Sequence, residues 1–162
     1  MQNNEFLFIY GSLRRQLRNP AATVLIRYGK MVGEAILKAK LYDLGSYPGA
    51  VLSWNPEARV VGELYRRRDP ERVFNRLDRY EGYEAKSNWR SAFQRRRVKV
   101  WLKTGQEIKA WAYLYCRETK GRNAISSGDY LVYRREMRRQ EKRSQLGLRK
   151  DQWKTPHDAN FS

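Results

Sequence analysis

The chain has 162 residues, 41% hydrophobic and 13% aromatic, which supports one well-formed core and excludes wholesale disorder. Thirty-four Lys and Arg against 17 Asp and Glu leave a net charge of +17, which predicts attraction to nucleic acid or other polyanions and speaks to partners, not fold. One cysteine (Cys116) and one histidine (His157) exclude an internal disulfide, a His/Cys metal centre and a nucleophilic hydrolase that needs a histidine base.

Taken in order, residues 5–10 form a buried strand around Phe6-Leu7-Phe8-Ile9, broken at Gly11. Residues 11–20 form a loop that closes at Asn19-Pro20. Residues 21–27 make two helical turns with Val24, Leu25 and Tyr28 as their apolar stripe, stopped at Gly29. Met31 to Tyr42 reads as one long strand, bulged at Gly33. The loop Gly45-Ser46-Tyr47-Pro48-Gly49 leads into a strand at 50–54, Asn55-Pro56-Glu57 turns the chain, and 60–65 returns it. Gaps this short predict antiparallel hairpins and leave no room for crossover helices.

Asp69-Pro70 is the clearest helix start, an N-cap followed by proline at the first helical position. Val73, Leu77 and Tyr80 recur at helical spacing and are expected to face the sheet, and Gly82 suits the left-handed residue that ends the helix. Residues 83–91 form an irregular loop carrying Trp89. Residues 98–103 and 108–115 alternate with period two around Thr104-Gly105-Gln106, a hairpin. Its small residues Ala110 and Ala112 either leave room for a cavity or pack against the helix. Cys116 is expected to be a packed, unreactive thiol. Residues 126–133 are expected to pack across a sheet edge or a barrel mouth.

From 134 to about 146 the chain is helix-compatible and polar all round, and between 134 and 150 eight Lys/Arg face only Glu136 and Glu141. Residues 147–162 are expected to fray. The fold class is α+β, a small, mostly antiparallel barrel with helices on its flank over residues 1–133 and a basic extension over 134–162. No apolar run approaches the ~20 residues of a membrane span, and no signal-peptide segment opens the chain, so a cytoplasmic protein is expected.

Two stretches carry chemistry. A strand ending in Gly11-Ser12 leaves the next backbone N–H groups without ladder partners, and they can turn inward as an anion-binding nest; an ordinary strand-to-loop turn fits the same residues. Glu81 falls in or just beyond the last turn of the helix, where the dipole disfavours a carboxylate. If also partly buried, its pKa is raised toward the range useful for proton transfer at neutral pH. Asp78, one turn earlier, and Glu84, in the following loop, compete with it.

Five ordered segments resemble the gamma-glutamylcyclotransferase-like (AIG2-like) family: Tyr10-Gly11-Ser12-Leu13; Leu41-Tyr42-Asp43-Leu44-Gly45-Ser46-Tyr47-Pro48; Leu77-Asp78-Arg79-Tyr80-Glu81-Gly82; Phe93, Arg95, Val98 and Val100; and Ser127-Gly128-Asp129. The resemblance covers residues 5–133. It implies the barrel fold, no cofactor, and cyclisation of a small γ-glutamyl substrate to 5-oxoproline with release of an amine. Glu81 matches the family's acid/base glutamate, and the N–H groups of Gly11, Ser12 and Leu13 match the loop that cradles the glutamyl end. Tyr10 would line the pocket, with Tyr115 near its wall. Arg95 would supply stabilising charge beside the site, or else stand as a solvated surface residue. Two other readings stay open: a non-catalytic basic protein that binds nucleic acid or another polyanion, and an enzyme whose γ-glutamyl group is carried by an acidic protein.

Overall fold

The computed structural model describes residues 5–84, 86 and 90–152, with side chains to 147. Its strands are β1 (Phe6–Ile9), β2 (Gly29–Leu37), β3 (Ala39–Asp43), β4 (Pro48–Leu52), β5 (Val60–Arg67), β6 (Phe93–Leu102), β7 (Glu107–Tyr115) and β8 (Asn123–Ala124). Its helices are α1 (Thr23–Tyr28), α2 (Pro70–Glu81) and α3 (Tyr130–Gln152). The chain divides into two compact units, the first through Tyr130 and the second from Leu131. Among the described residues no helix is long and apolar enough to cross a membrane.

Five strands close into a barrel in the order β1-β5-β2-β6-β7. The pairs are antiparallel except where β7 returns beside β1, which is parallel and sets Leu7 against Trp111. Alternation along the strands sorts their side chains into two cores. Phe8 lies opposite Leu64, Leu37 opposite Val100, and Val98 opposite Ala110, and all six are buried in the lumen. Leu7, Ile9, Tyr65 and Tyr113 point the other way and pack with Val24 and Leu25 of α1 and Val73 and Leu77 of α2. Ala110 and Ala112 are fully buried on the face opposite to Trp111 and Tyr113, and neither belongs to the cluster packed with α1 and α2. Trp111 and Tyr113, their alternates, face α2 instead, with Trp111 edge-on to Phe74 at 5.8 Å.

Helix α2 follows its sequence signals closely. The Asp69 carboxylate accepts the Arg72 N–H at 3.2 Å, and Pro70 occupies the first helical position. At the other end Gly82 takes φ 64°, ψ 30°, and the Tyr83 N–H donates to the Asp78 carbonyl at 2.8 Å, closing the helix with a left-handed residue. Val73 and Leu77 are fully buried, whereas Tyr80 is 43% exposed and turned away from the sheet.

Several expectations are corrected by long-range pairing. The stretch 31–42 is two strands, split at Lys38: β2 stays in the barrel, and β3 leaves it for a second sheet of order β4-β3-β8. The irregularity near Gly33 is present as a register shift between Met31 and Gly33. β4 and β5 are not a hairpin, because β4 pairs with β3 while β5 pairs with β1 and β2. The β6–β7 hairpin forms as read, and β6 begins earlier, at Phe93. Of 126–133, the turn ending at Gly128 docks on the start of β5, where the Val61 N–H donates to the Gly128 carbonyl at 2.8 Å; from Tyr130 the chain is already helix α3. Cys116 is exposed, not packed, and desolvation pushes its thiol up, away from the reactive thiolate. Trp89 and His157 lie outside the described residues.

Candidate active site

Where β1 runs out, the chain turns sharply beside the C-terminal end of α2, and a cavity of about 390 Å³ opens between them. Tyr10, Gly11, Ser12 and Leu13 line it from one side and Tyr80, Glu81 and Gly82 from the other. Pro48 and Phe93 also line it. The two stretches singled out in the sequence, more than sixty residues apart, thus share one cavity.

The turn is built from the backbone. The Arg14 N–H donates to the Gly11 carbonyl at 3.0 Å, closing four residues, and among the described residues nothing accepts from the Ser12 or Leu13 N–H. A side chain at Gly11 would press on the Pro48 ring at 3.0 Å, so glycine keeps this wall open. Tyr10 is buried, with its hydroxyl spent on the backbone: it donates to the Tyr113 carbonyl at 2.6 Å and accepts the Ala50 N–H at 3.2 Å. Burial, and then the charge of Glu81, hold this phenol protonated well above its ordinary range. Tyr10 therefore ties the end of β1 to β4 and β7.

Glu81 is the last residue of α2 and partly buried. Desolvation pushes its carboxyl up to about 7, so both protonation states are populated near neutral pH. Asp78, one turn earlier, is engaged elsewhere. It accepts the Tyr113 hydroxyl at 2.5 Å and pairs with Arg95 at 3.3 Å. Glu84 is exposed and does not line the cavity. Of the three carboxyls, only Glu81 combines a place in the cavity with a raised pKa.

Arg95 and Tyr115 are not brought to the cavity. The Arg95 guanidinium lies 3.7 Å from the Phe74 ring centre and pairs with Asp78, so it braces α2 against the barrel. It is neither beside the turn nor a solvated surface residue. Tyr115 stands behind Phe93, ring centres 5.5 Å apart.

Several participants carry no role in the sequence pattern. The Tyr80 hydroxyl bridges Ser12 Oγ at 3.0 Å and Asn19 Nδ2 at 2.8 Å, joining α2 to the loop at the rim. Beneath the turn lies a buried charge network. Glu63 Oε2 accepts the Arg15 N–H at 3.0 Å and the Tyr65 hydroxyl at 2.9 Å. Arg14 Nε stands 3.5 Å from Glu63 Oε1, and Arg14 Nη1 donates to Asp129 at 2.8 Å. Arg14 is 2% and Glu63 1% exposed. Charges so deeply buried are costly unless paired, and this pairing fixes the turn from behind. A glutamate inside the apolar run Val60-Val61-Gly62-Glu63-Leu64-Tyr65 was the available signal.

Among the described residues no cluster of His, Cys, Asp and Glu is placed to hold a metal ion. A turn presenting backbone amides and a desolvated carboxyl at a helix end thus line one small cavity. The model of the family described as gamma-glutamyl cyclotransferase, AIG2-like, matches residues 7–132, and the chain belongs to that family. It is 31% identical over 130 residues to a Methanocaldococcus jannaschii protein named as a putative gamma-glutamylcyclotransferase, covering 80% of this chain and 98% of that one. Among solved structures it is similar to YkqA from Bacillus subtilis, with TM-score 0.58 and 25% identity, over 78% of this chain but only 39% of YkqA. An AIG2-like protein from Mus musculus shares the fold with TM-score 0.55 at 20% identity, over 70% of this chain and 78% of that one.

Proposed function

We propose that the protein cyclises a small γ-glutamyl compound to 5-oxoproline, with Glu81 as the proton carrier. The observation that carries this reading is a carboxyl pushed up to about 7 in the cavity that also holds the Gly11–Leu13 turn. The substrate provides its own nucleophile. Ionised Glu81 takes a proton from the substrate's α-ammonium group, and the freed amine attacks the γ-carbonyl carbon. A carbon–nitrogen bond forms and negative charge gathers on the carbonyl oxygen. The N–H groups of Ser12 and Leu13, without protein acceptors, stabilise charge on the bound glutamyl portion. Collapse breaks the bond to the leaving nitrogen, which takes the first proton back from Glu81; the surplus proton of the new ring nitrogen then passes by way of the ionised Glu81 to the released amine. The products are 5-oxoproline and the amine as its ammonium ion, and Glu81 returns to its starting state.

The cavity supports proximity as much as acid–base chemistry. Cyclisation needs the glutamyl chain folded so that its two ends meet, and confinement between the turn and α2 favours that geometry. Tyr10 serves as a fixed wall, and Arg95 and Tyr115 have no part in the reaction. The test is release of 5-oxoproline from a panel of γ-glutamyl amines, γ-glutamyl dipeptides and glutathione. Wild type should turn over at least one of them, and Glu81→Gln, similar in size but unable to carry the proton, should lose at least about a hundredfold in kcat. Equal turnover by the two proteins would overturn the assignment of Glu81.

A further inference from the structure

The second unit bears a charge pattern that cyclisation does not use. Arg135, Arg138, Arg139, Lys142 and Arg143 of α3 are all exposed. At ~100° per residue they fall within an arc of roughly 140° on one side of the helix, and Glu136 and Glu141 fall outside it. Among the described residues none of the five has a carboxylate within ion-pair distance. Arg135 Nε reaches only the Leu131 carbonyl of its own helix, at 3.4 Å. Neighbours three and four residues apart are therefore like-charged along the face, which opposes helix formation unless an external anion offsets it.

We propose that this face of α3 binds the phosphate backbone of double-stranded DNA without sequence preference. A membrane would need a continuous apolar side opposite the charges, and that side interrupts Tyr130, Tyr133 and Met137 with the polar Gln140 and Ser144. A protein partner would need buried aromatic or apolar anchors, and the cationic arc offers only Leu131 and Val132, half-buried before its first cation, and Leu146, 58% exposed after its last. Single strands are held by stacking on aromatic rings, and the aromatics of α3, Tyr130 and Tyr133, lie outside the arc. The major groove of duplex RNA is too narrow for a helix, whereas that of B-form DNA, about 12 Å wide, admits one. There a wide arc of cations reaches phosphates on both strands. Four of the five are arginines, whose planar forks match phosphate oxygens.

The test uses the full chain and a fluorescein-labelled 20-base-pair DNA duplex, followed by anisotropy from 50 to 300 mM salt. Each phosphate contact contributes a slope of about −0.9 to log K against log salt, so five predict a slope of about −4.5. The variant R138Q/R139Q/K142Q/R143Q should lose about 3 to 4 of that slope and at least about a hundredfold in affinity at 50 mM salt. Glutamine is as good a helix former as the residues it replaces, so circular dichroism should show the helix kept. A charge-matched control, with exposed Lys30, Lys40, Lys109 and Lys120 changed to glutamine, should stay within about threefold of wild type. Equal losses in both variants would show a whole-molecule charge effect and overturn the proposal. So would no duplex binding at 50 mM salt, or tighter binding to single-stranded DNA, duplex RNA or phosphatidylserine vesicles.

Discussion

Glu81 and Asp78 sit one turn apart on the same helix and meet opposite fates because their surroundings differ. Asp78 accepts a phenol hydroxyl and pairs with a guanidinium, whereas Glu81 lines the cavity and burial pushes its carboxyl up. The consequence for stability has a definite sign. The folded carboxyl titrates at about 7 against an ordinary 4.5, so unfolding releases a proton between those values and stability falls as pH rises through that window. Glu81→Gln should therefore stabilise the protein at pH 8, on the order of 2 kcal/mol once partial exposure is discounted, and leave it unchanged at pH 4. Urea unfolding at the two pH values checks this, and an equal effect at both would contradict the desolvation account. Tyr10 makes a contrasting case. Tyr10→Phe orphans the Tyr113 carbonyl and the Ala50 N–H and should cost about 1–3 kcal/mol. Because this phenol stays protonated, the midpoint of the pH–rate profile should not move.

At the scale of elements, the turn after β1 is only as firm as the network beneath it. Glu63→Leu leaves the buried Arg14 guanidinium with Asp129 alone and removes the acceptor of the Tyr65 hydroxyl and the Arg15 N–H, and should destabilise by about 3–5 kcal/mol. The double variant R14M/E63L removes both deeply buried charges and should recover part of that loss, the Tyr65 hydroxyl and the Arg15 N–H still lacking their acceptor. Turnover should stay low in the double variant, because the Arg15 N–H no longer has the carboxylate that anchors the turn. Recovery of turnover together with stability would reduce the network to a folding role. Gly82→Ala, which forces a side chain into φ 64°, should cost about 1 kcal/mol, measurable by thermal unfolding. These elements also show what the sequence could carry. Asp69, Pro70 and Gly82 act within a few residues of themselves, so α2 and the place of Glu81 at its end were legible. The β6–β7 hairpin was legible for the same reason. The departure of β3 from the barrel and the separate sheets of β4 and β5 depend on partners far along the chain, and no local pattern encodes them. Glu63 meets Arg14 and Arg15 across some fifty residues, which is why the support of the turn went unread while the turn itself did not. Arg95 was placed at the site by resemblance, and its pairing with Asp78 shows that a matching strand position does not fix where a long side chain reaches.

For the molecule as a whole, the charge of +17 and the acidity of Glu81 belong to different physics. Exposed charges are screened by salt, while a pKa raised by burial is not. Turnover of a net-neutral γ-glutamyl amine should change less than about threefold between 50 and 500 mM salt, whereas polyanion binding should fall by orders of magnitude over the same range. Parallel assays on one preparation would separate the two, and a shared salt dependence would tie the basic surface to catalysis. The central claim is that Glu81 carries the proton in cyclisation, and the most direct measurement is the pH dependence of kcat/KM for 5-oxoproline release. kcat/KM should rise with an apparent pKa near 7 as Glu81 ionises to act as base, and Glu81→Gln should lose that activity. A profile flat from pH 6 to 8, or one that Glu81→Gln reproduces, would contradict it.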